Sequence, residues 1–122
     1  MEFKVKESIF IQIANRICDE ILRGVYGEGE RIPSVRDYAV LVEVNVNTII
    51  RSYEYLQNKE IIYNKRGIGY FVSSDAKSKI QMARRKTFIE EVLPEFFRQM
   101  SLLNIKMEEV VEEYNRLNKN NV

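Results

Sequence analysis

Basic and small polar side chains between residues 34 and 67 are the groups of this sequence best suited to binding chemistry. A guanidinium offers its donors in a fixed fork that suits a phosphate or the N7 and O6 atoms of guanine. Amide and hydroxyl side chains form hydrogen bonds with the same partners. Together they make this segment a candidate nucleic-acid surface, consisting of Ser34, Arg36, Asn47, Thr48, Arg51, Lys65, Arg66 and Gly67.

Metal and nucleophile chemistry is poorly represented. The chain has no histidine and one cysteine, Cys18, which excludes an internal disulfide and a cysteine-based zinc site. Gly67 and Gly69 precede strand-forming residues rather than a helix, and no Gly-Lys-Ser/Thr sequence follows the earlier glycines, so neither group is typical of a phosphate loop. We therefore expect no catalytic site, no metal and no cofactor.

The spacing of apolar residues predicts the elements that position the candidate residues. An isoleucine stripe at every fourth position predicts a first helix from Ser8, its expected N-cap, to about Arg23. Ser34 and Asn45 are the expected N-caps of a second helix over 34–42 and a third over 45–59. Two β-prone runs, 61–63 and 70–72, flank a basic glycine-containing tip and predict a hairpin. Three helices followed by such a hairpin make a winged helix-turn-helix.

A charged amphipathic helix is predicted after the hairpin, from about Asp75 to Leu103, with a kink or break at Pro94. Asn104 is expected to take a left-handed C-cap conformation before a last helix. Two helices cannot bury the wide apolar stripe on the first of them, so we expect this stripe to form a symmetric dimer interface. The stripe consists of Phe88, Val92, Phe96 and Met100.

The predicted fold class is mainly α with a small β-hairpin. It divides into a winged helix-turn-helix DNA-binding domain over 1–74 and a two-helix dimerisation tail over 75–122. The formal net charge is +1 for the chain. Six basic and four acidic side chains give +2 within 31–72, which permits DNA binding without demanding it. A charged start and the lack of a long apolar run predict a cytoplasmic protein with no membrane partner.

Three blocks of the sequence closely resemble the GntR family of bacterial regulators. They run from Gly29 to Ala39, from 44 to 56 and from 65 to 72, in the family's order and with its gaps, and the resemblance covers about residues 8–73. The tail, including the sequence Val-Leu-Pro-Glu-Phe over 92–96, resembles the YtrA-like subgroup, whose members lack the larger effector-binding domains of other branches.

The resemblance implies where DNA would be contacted. In the family the start of the recognition helix enters the major groove, which implies roles for Asn47, Thr48 and Arg51. An arginine of the preceding helix, here Arg36, also reaches DNA, and the wing tip, here Arg66-Gly67, contacts the minor groove or the backbone.

The same resemblance implies what the protein does. We expect a transcriptional regulator, a repressor as most family members are, that binds an inverted repeat of double-stranded operator DNA as a homodimer. The recognition helix would be 45–59 and the wing 61–72. Val46 and Ile50 differ from the polar or basic residues of other branches, so the base sequence read by those branches does not carry over.

Other interpretations stay open from the sequence alone. A winged-helix module that binds RNA or a protein fits the near-neutral charge, whereas an enzyme is disfavoured because the usual catalytic groups are absent. Arg36 could form an ion pair with Asp37 or Glu43, and Arg51 with Glu54. Whether a small-molecule effector exists is undetermined. The tail is too small to enclose a ligand pocket in one subunit, so an effector would bind at the dimer interface or between tail and head.

Overall fold

The structure is a computed structural model that describes residues 7–120. The elements are α1 (Ile9–Leu22), α2 (Val35–Val42), α3 (Val46–Asn58), β1 (Ile62–Lys65), β2 (Gly69–Val72), α4 (Ala76–Thr87), a π-helical turn (Phe88–Val92), α5 (Leu93–Leu103) and α6 (Met107–Asn120). The chain divides into two compact units, which we call the head (up to residue 83) and the tail (from residue 84). The prediction of a mainly α fold with one hairpin is confirmed.

Side-chain caps begin two of the head helices as predicted. The Ser34 hydroxyl accepts a hydrogen bond from the Asp37 amide at 3.1 Å. The Asn45 side-chain oxygen accepts one from the Asn47 amide at 2.7 Å. Ser8 occupies the N-cap position of α1, but its side chain forms no capping bond. The prediction for Ser8 is therefore right in position and wrong in chemistry.

A left-handed residue joins α2 to α3. Glu43 has a φ of 57°, and the Val44 amide donates to the Ala39 carbonyl at 3.1 Å. This backbone arrangement closes the last turn of α2, and α3 begins after three connecting residues. It produces the short connection of a helix-turn-helix.

The hairpin is longer at its tip than predicted. β1 and β2 are antiparallel, with Ile62 opposite Val72 and Lys65 opposite Gly69. Asn64 and Lys65 therefore belong to a strand and not to the loop. The loop itself contains only residues 66–68, which leaves Gly67 at the centre of the turn.

A short segment of the loop before α2 forms backbone hydrogen bonds with the hairpin. The Val72 amide donates to the Glu30 carbonyl, and the Ile32 amide donates to the Tyr70 carbonyl, both at 2.9 Å. The glycines before Pro33 indicate a loop, and the structure adds a single bridge within it, between Arg31 and Phe71. The segment is very short and pairs with residues far later in the chain, so no local pattern reveals it.

The head has one apolar core, to which every one of its elements contributes. Its fully buried large side chains include Ile17 of α1, Tyr38 of α2, Ile49 of α3 and Val72 of β2. The first turns of α4 belong to the same core through Ala76 and Ile80. The unit therefore extends past 74, the predicted end of the DNA-binding domain, to residue 83.

The tail contains the helix irregularity that Pro94 predicts. The Leu93 amide donates to the carbonyl of Phe88, five residues earlier, which defines a π-helical turn just before the proline. Proline lacks an N–H group and its ring crowds the carbonyl four residues back, so a regular α-helix is disfavoured there. The break lies one turn earlier than Pro94. Asn104 ends α5 with a φ of 55°, as predicted.

Candidate nucleic-acid interface

Two hydroxyl groups of buried residues hold α3 in position within the helix-turn-helix. The Tyr53 hydroxyl of α3 donates to the carbonyl of Pro33, just before α2, at 2.7 Å. The Ser52 hydroxyl donates to the carbonyl of Phe10 in α1, also at 2.7 Å. These bonds hold the inner face of α3 against the rest of the head, which leaves its opposite face exposed.

A buried carboxylate links α2 to α1. The Tyr38 hydroxyl donates to the Glu20 carboxylate at 3.0 Å, and Arg16 lies 3.5 Å from the same carboxylate. Burial, together with the negative charge of Glu20, raises the pKa of the Tyr38 hydroxyl above its usual range. Burial also raises the pKa of Tyr53. Both hydroxyls therefore remain neutral donors at physiological pH.

The first turn of α2 carries an exposed cation. Arg36 lies two residues after the Ser34 cap and its side chain is exposed. The start of a helix presents unpaired backbone amides and a positive dipole end, which favour a phosphate. Arg36 is unfavourable to the dipole at this position, so its placement suits contact with an anion more than support of the helix.

Arg51 of α3 is held in place by an aromatic ring. Its guanidinium carbon lies 4.2 Å from the centroid of the Phe10 ring, and that ring packs edge-on against Tyr55. Stacking uses the face of a guanidinium and leaves its N–H groups, which point outwards in the plane, able to donate. Phe10 belongs to α1 and Arg51 to α3, so no local sequence pattern predicts this contact.

The outer face of α3 also presents polar side chains near its N-terminus. Asn47 is exposed and Thr48 is half-buried. Both lie in the first helical turn, which is the part of a recognition helix that reaches base edges. The exposure of Asn47 and Arg51 agrees with the burial of Ile49 and Leu56 on the other side of the helix.

The wing carries cations on an aromatic base. Lys65 places its ammonium 4.8 Å from the centroid of the Phe71 ring, which stacks on Tyr63. Arg66 is exposed at the tip. Gly67 has a φ of 77°, a left-handed conformation that glycine adopts without steric cost. The turn chemistry expected of this glycine is therefore present.

Arg31 is a further cation beside the wing, and it is not among the DNA-contact residues predicted from the sequence. It pairs across the sheet with Phe71, and its side chain crosses Gly69. A Cβ atom at residue 69 would lie 2.7 Å from the Arg31 Nε atom. Gly69 therefore leaves room for this guanidinium beside Lys65. Recognising Arg31 requires knowing that residues 30–32 pair with β2.

All eight predicted DNA-contact residues lie in the head, on two packed helices and on the hairpin that follows them. The four predicted dimer residues lie in the tail, where Phe88, Val92 and Phe96 are exposed and Met100 is half-buried. Within residues 7–120, no helix has the length and apolar character needed to cross a membrane.

Comparisons with known proteins agree with this architecture. Residues 11–72 match the model of the family described as bacterial regulatory proteins, gntR family. The uncharacterized HTH-type transcriptional regulator YhcF of Bacillus subtilis is 33% identical over 91% of this chain and 90% of its own length. The HTH-type transcriptional repressor YtrA of the same organism is 29% identical over 85% of this chain and 79% of its own length.

A solved structure extends the similarity to the tail. A putative GntR-family transcriptional regulator from Bacteroides thetaiotaomicron is 50% identical, with a TM-score of 0.78 over 94% of this chain and 100% of that one. The proteins of this family regulate transcription through a DNA-binding helix-turn-helix and are not enzymes. This chain belongs to the GntR family of bacterial transcriptional regulators and resembles its YtrA-type members.

Proposed function

We propose that this protein is a repressor that binds an inverted-repeat operator as a homodimer, with α3 in the major groove and the wing against the backbone or minor groove. The observation that carries this proposal is the difference in burial between the units. The head has a complete core, whereas no side chain within residues 84–119 of the tail is buried. The name of the relative YtrA, a repressor, supports the sign of regulation.

A second copy of the chain is the partner that suits the tail. In α5, the spacing of Phe96, Met100 and Leu103 puts these side chains on one face, while Glu95 and Arg98 lie on the other. Arg98 and Glu95 form a two-pronged ion pair, which lowers the pKa of Glu95 to about 2. One polar and one apolar face per helix is the pattern of an amphipathic helix that packs on another. A two-fold axis lets identical apolar faces cover each other.

Two heads linked in this way would contact successive half-sites of one duplex. Each head would present Arg36 and the start of α3 to the groove, with Lys65 and Arg66 at phosphates. Linked binding raises affinity because the second head binds at a high effective concentration. The two-fold symmetry of the protein predicts an inverted repeat.

The test of DNA reading begins with selection of duplexes from a random pool by the full-length protein. Replacing Arg51 with Ala should cost about 1–3 kcal/mol in binding and relax the preference at one base pair of each half-site. Lys65→Ala should weaken all duplexes alike and lower the slope of affinity against salt by about one. An Arg51→Ala protein that retains the full base preference would contradict the groove assignment.

An RNA duplex of the selected sequence separates DNA reading from general nucleic-acid binding. The deep, narrow major groove of RNA does not admit side chains, so it should compete poorly with the DNA duplex. Equal competition would indicate the alternative function, a winged-helix module that binds RNA.

The test of the dimer uses two substitutions in one helix. Phe96→Asp puts a charge on the apolar face of α5 and should produce a monomer, because burying an unpaired charge is costly. Leu102→Asp is the control, since Leu102 lies on the polar face and is 71% exposed. Analytical ultracentrifugation of both variants gives the result. A dimeric Phe96→Asp protein, or a monomeric parent, would overturn the proposed interface.

A further inference from the structure

Two apolar side chains stand on the exposed side of α3, within the proposed DNA interface. Val46 is the first residue of the helix and Ile50 lies one turn later, so both lie on the same side. They are 36% and 38% exposed, whereas Ile49, the neighbour of Ile50, is fully buried in the core. The core of the head therefore does not account for them.

The neighbours of Val46 and Ile50 on this side of α3 are polar. Asn47 and Arg51 flank the two apolar residues along the outer side of α3 and are exposed themselves. If this side faces DNA, a valine and an isoleucine replace groups that could donate hydrogen bonds to bases. They gain nothing from phosphates, whose recognition requires charged or polar donors.

The major groove offers one apolar partner for such side chains. Among the groove edges of the four base pairs, only thymine presents a methyl group, at C5. The first turns of a recognition helix are the part that reaches these edges. Contact between a branched aliphatic side chain and that methyl removes apolar surface of both groups from water.

We propose that Val46 and Ile50 select thymines in each operator half-site by contact with their 5-methyl groups. This inference rests on the proposed function, because it requires α3 to lie in the major groove. It adds the chemistry of part of the base preference. At the base pairs facing these two residues, discrimination comes from an apolar contact rather than from a two-pronged hydrogen bond to guanine.

Deoxyuridine is the probe for this contact, because it differs from thymidine only by the missing methyl group. Each thymine of the selected operator is replaced singly by deoxyuridine, and binding of the full-length protein is measured. We expect one or two positions in each half-site at which affinity falls about fourfold, the factor that burial of one methyl-sized group gives.

Variants then assign those positions to residues. Val46→Ala should abolish the deoxyuridine effect at one position, and Ile50→Ala should abolish it at another or at the same one. Leu102→Ala, which removes an exposed apolar side chain from the tail, should leave the whole deoxyuridine profile unchanged. Thermal melting of each variant confirms that the exposed substitutions leave the head folded.

The outcomes separate this inference from the proposed function. If the protein selects no duplex, the proposed function fails and the inference fails with it. If it selects a duplex, but no deoxyuridine position weakens binding or the effect persists in both alanine variants, the thymine contact is wrong and the DNA-binding function stands.

Discussion

The head and the tail differ in what covers their apolar side chains. In the head, apolar side chains from helices and strands bury one another. Buried polar groups form hydrogen bonds there, such as the one from the Tyr53 hydroxyl to the Pro33 carbonyl. In the tail, none of the described apolar residues of the π turn, α5 and α6 is buried, and Phe88, Phe97 and Tyr114 are among the exposed ones. One unit buries its apolar side chains in a core of its own, and the other leaves its apolar side chains accessible to solvent.

This difference predicts which substitutions should change the stability of the fold and which should change association. A unit with its own core should fold as a monomer, because apolar burial is the main driving force of folding. A helical segment without buried side chains gains its stability from packing against another surface. Mutations in the buried core of the head should therefore act first on folding, and mutations on the apolar face of the tail should act first on association.

Removal of the tail should give the largest effect. A chain ending at Ala83 keeps the core residues Ala76 and Ile80, so it should remain folded and monomeric. Its affinity for one full operator should fall by roughly 10² to 10⁴, because the two heads are no longer linked. Circular dichroism and binding isotherms on the same preparation measure both properties. A truncated protein that binds as tightly as the parent would remove the tail from the proposed mechanism.

A core substitution in α4, the helix whose first turns belong to the head and whose end belongs to the tail, should give the next largest effect. Ile80→Ala in the chain ending at Ala83 should lower the free energy of unfolding by about 2–5 kcal/mol, since it leaves a cavity. Met82 lies two residues later and is 69% exposed, so Met82→Ala should change stability by less than about 0.5 kcal/mol. Urea unfolding compares the two. Equal effects would show that α4 does not belong to the head core.

Much of the head could be predicted from the sequence because its patterns are local. A stripe of isoleucines marks α1, and the caps Ser34 and Asn45 mark two further helices. Contacts between distant segments leave no such pattern. Residues 30–32 form hydrogen bonds with β2, and the guanidinium of Arg51 stacks on the Phe10 ring. Both contacts depend on packing that brings together residues distant in the sequence. For this reason α2 and α3 could be predicted from the sequence, whereas the position of Arg31 beside β2 could not.

The tail shows a different limit of prediction. Pro94 indicates that a regular helix is interrupted, and Asn104 indicates where it ends, since both residues have strong backbone preferences. Neither indicates that the interruption is a π turn before the proline. The wide apolar face predicts an interface. The surface that would cover this face belongs to a second molecule, so the pattern within one chain does not identify it.

Alkaline pH should distinguish the head from the tail through their tyrosines. Burial raises the pKa of Tyr38 and Tyr53 above the usual 10.0. A raised pKa in the folded state gives stability that is complete below pH 10 and is lost as the pH rises, because the unfolded chain then loses its protons more readily. The free energy of unfolding of the head should fall by about 1 kcal/mol per buried tyrosine between pH 10 and about 11.

A matched pair of variants assigns this loss. Tyr53→Phe should reduce the steepness of the alkaline fall, whereas Tyr114→Phe in the exposed tail should not alter it. Urea unfolding of the full-length protein between about pH 8 and 11, followed by tyrosinate absorbance, measures the slope. An unchanged slope in Tyr53→Phe would show that this hydroxyl titrates normally in the folded head.

The smallest effect on stability should come from substitution of the residues with left-handed backbone conformation that end a helix in each unit. Glu43 in the head and Asn104 in the tail have φ values of 57° and 55°. This conformation costs most side chains about 1–2 kcal/mol, and asparagine less because its side chain bonds locally. Glycine avoids that cost but loses about 0.5–1 kcal/mol through the greater freedom of the unfolded chain. Glu43→Gly should therefore raise stability by up to about 1 kcal/mol, and Asn104→Gly should raise it less.

Gln81→Gly, inside α4, is the control and should lower stability by about 1 kcal/mol. If thermal melts show Glu43→Gly to be as destabilising as Gln81→Gly, the left-handed turn between α2 and α3 is wrong.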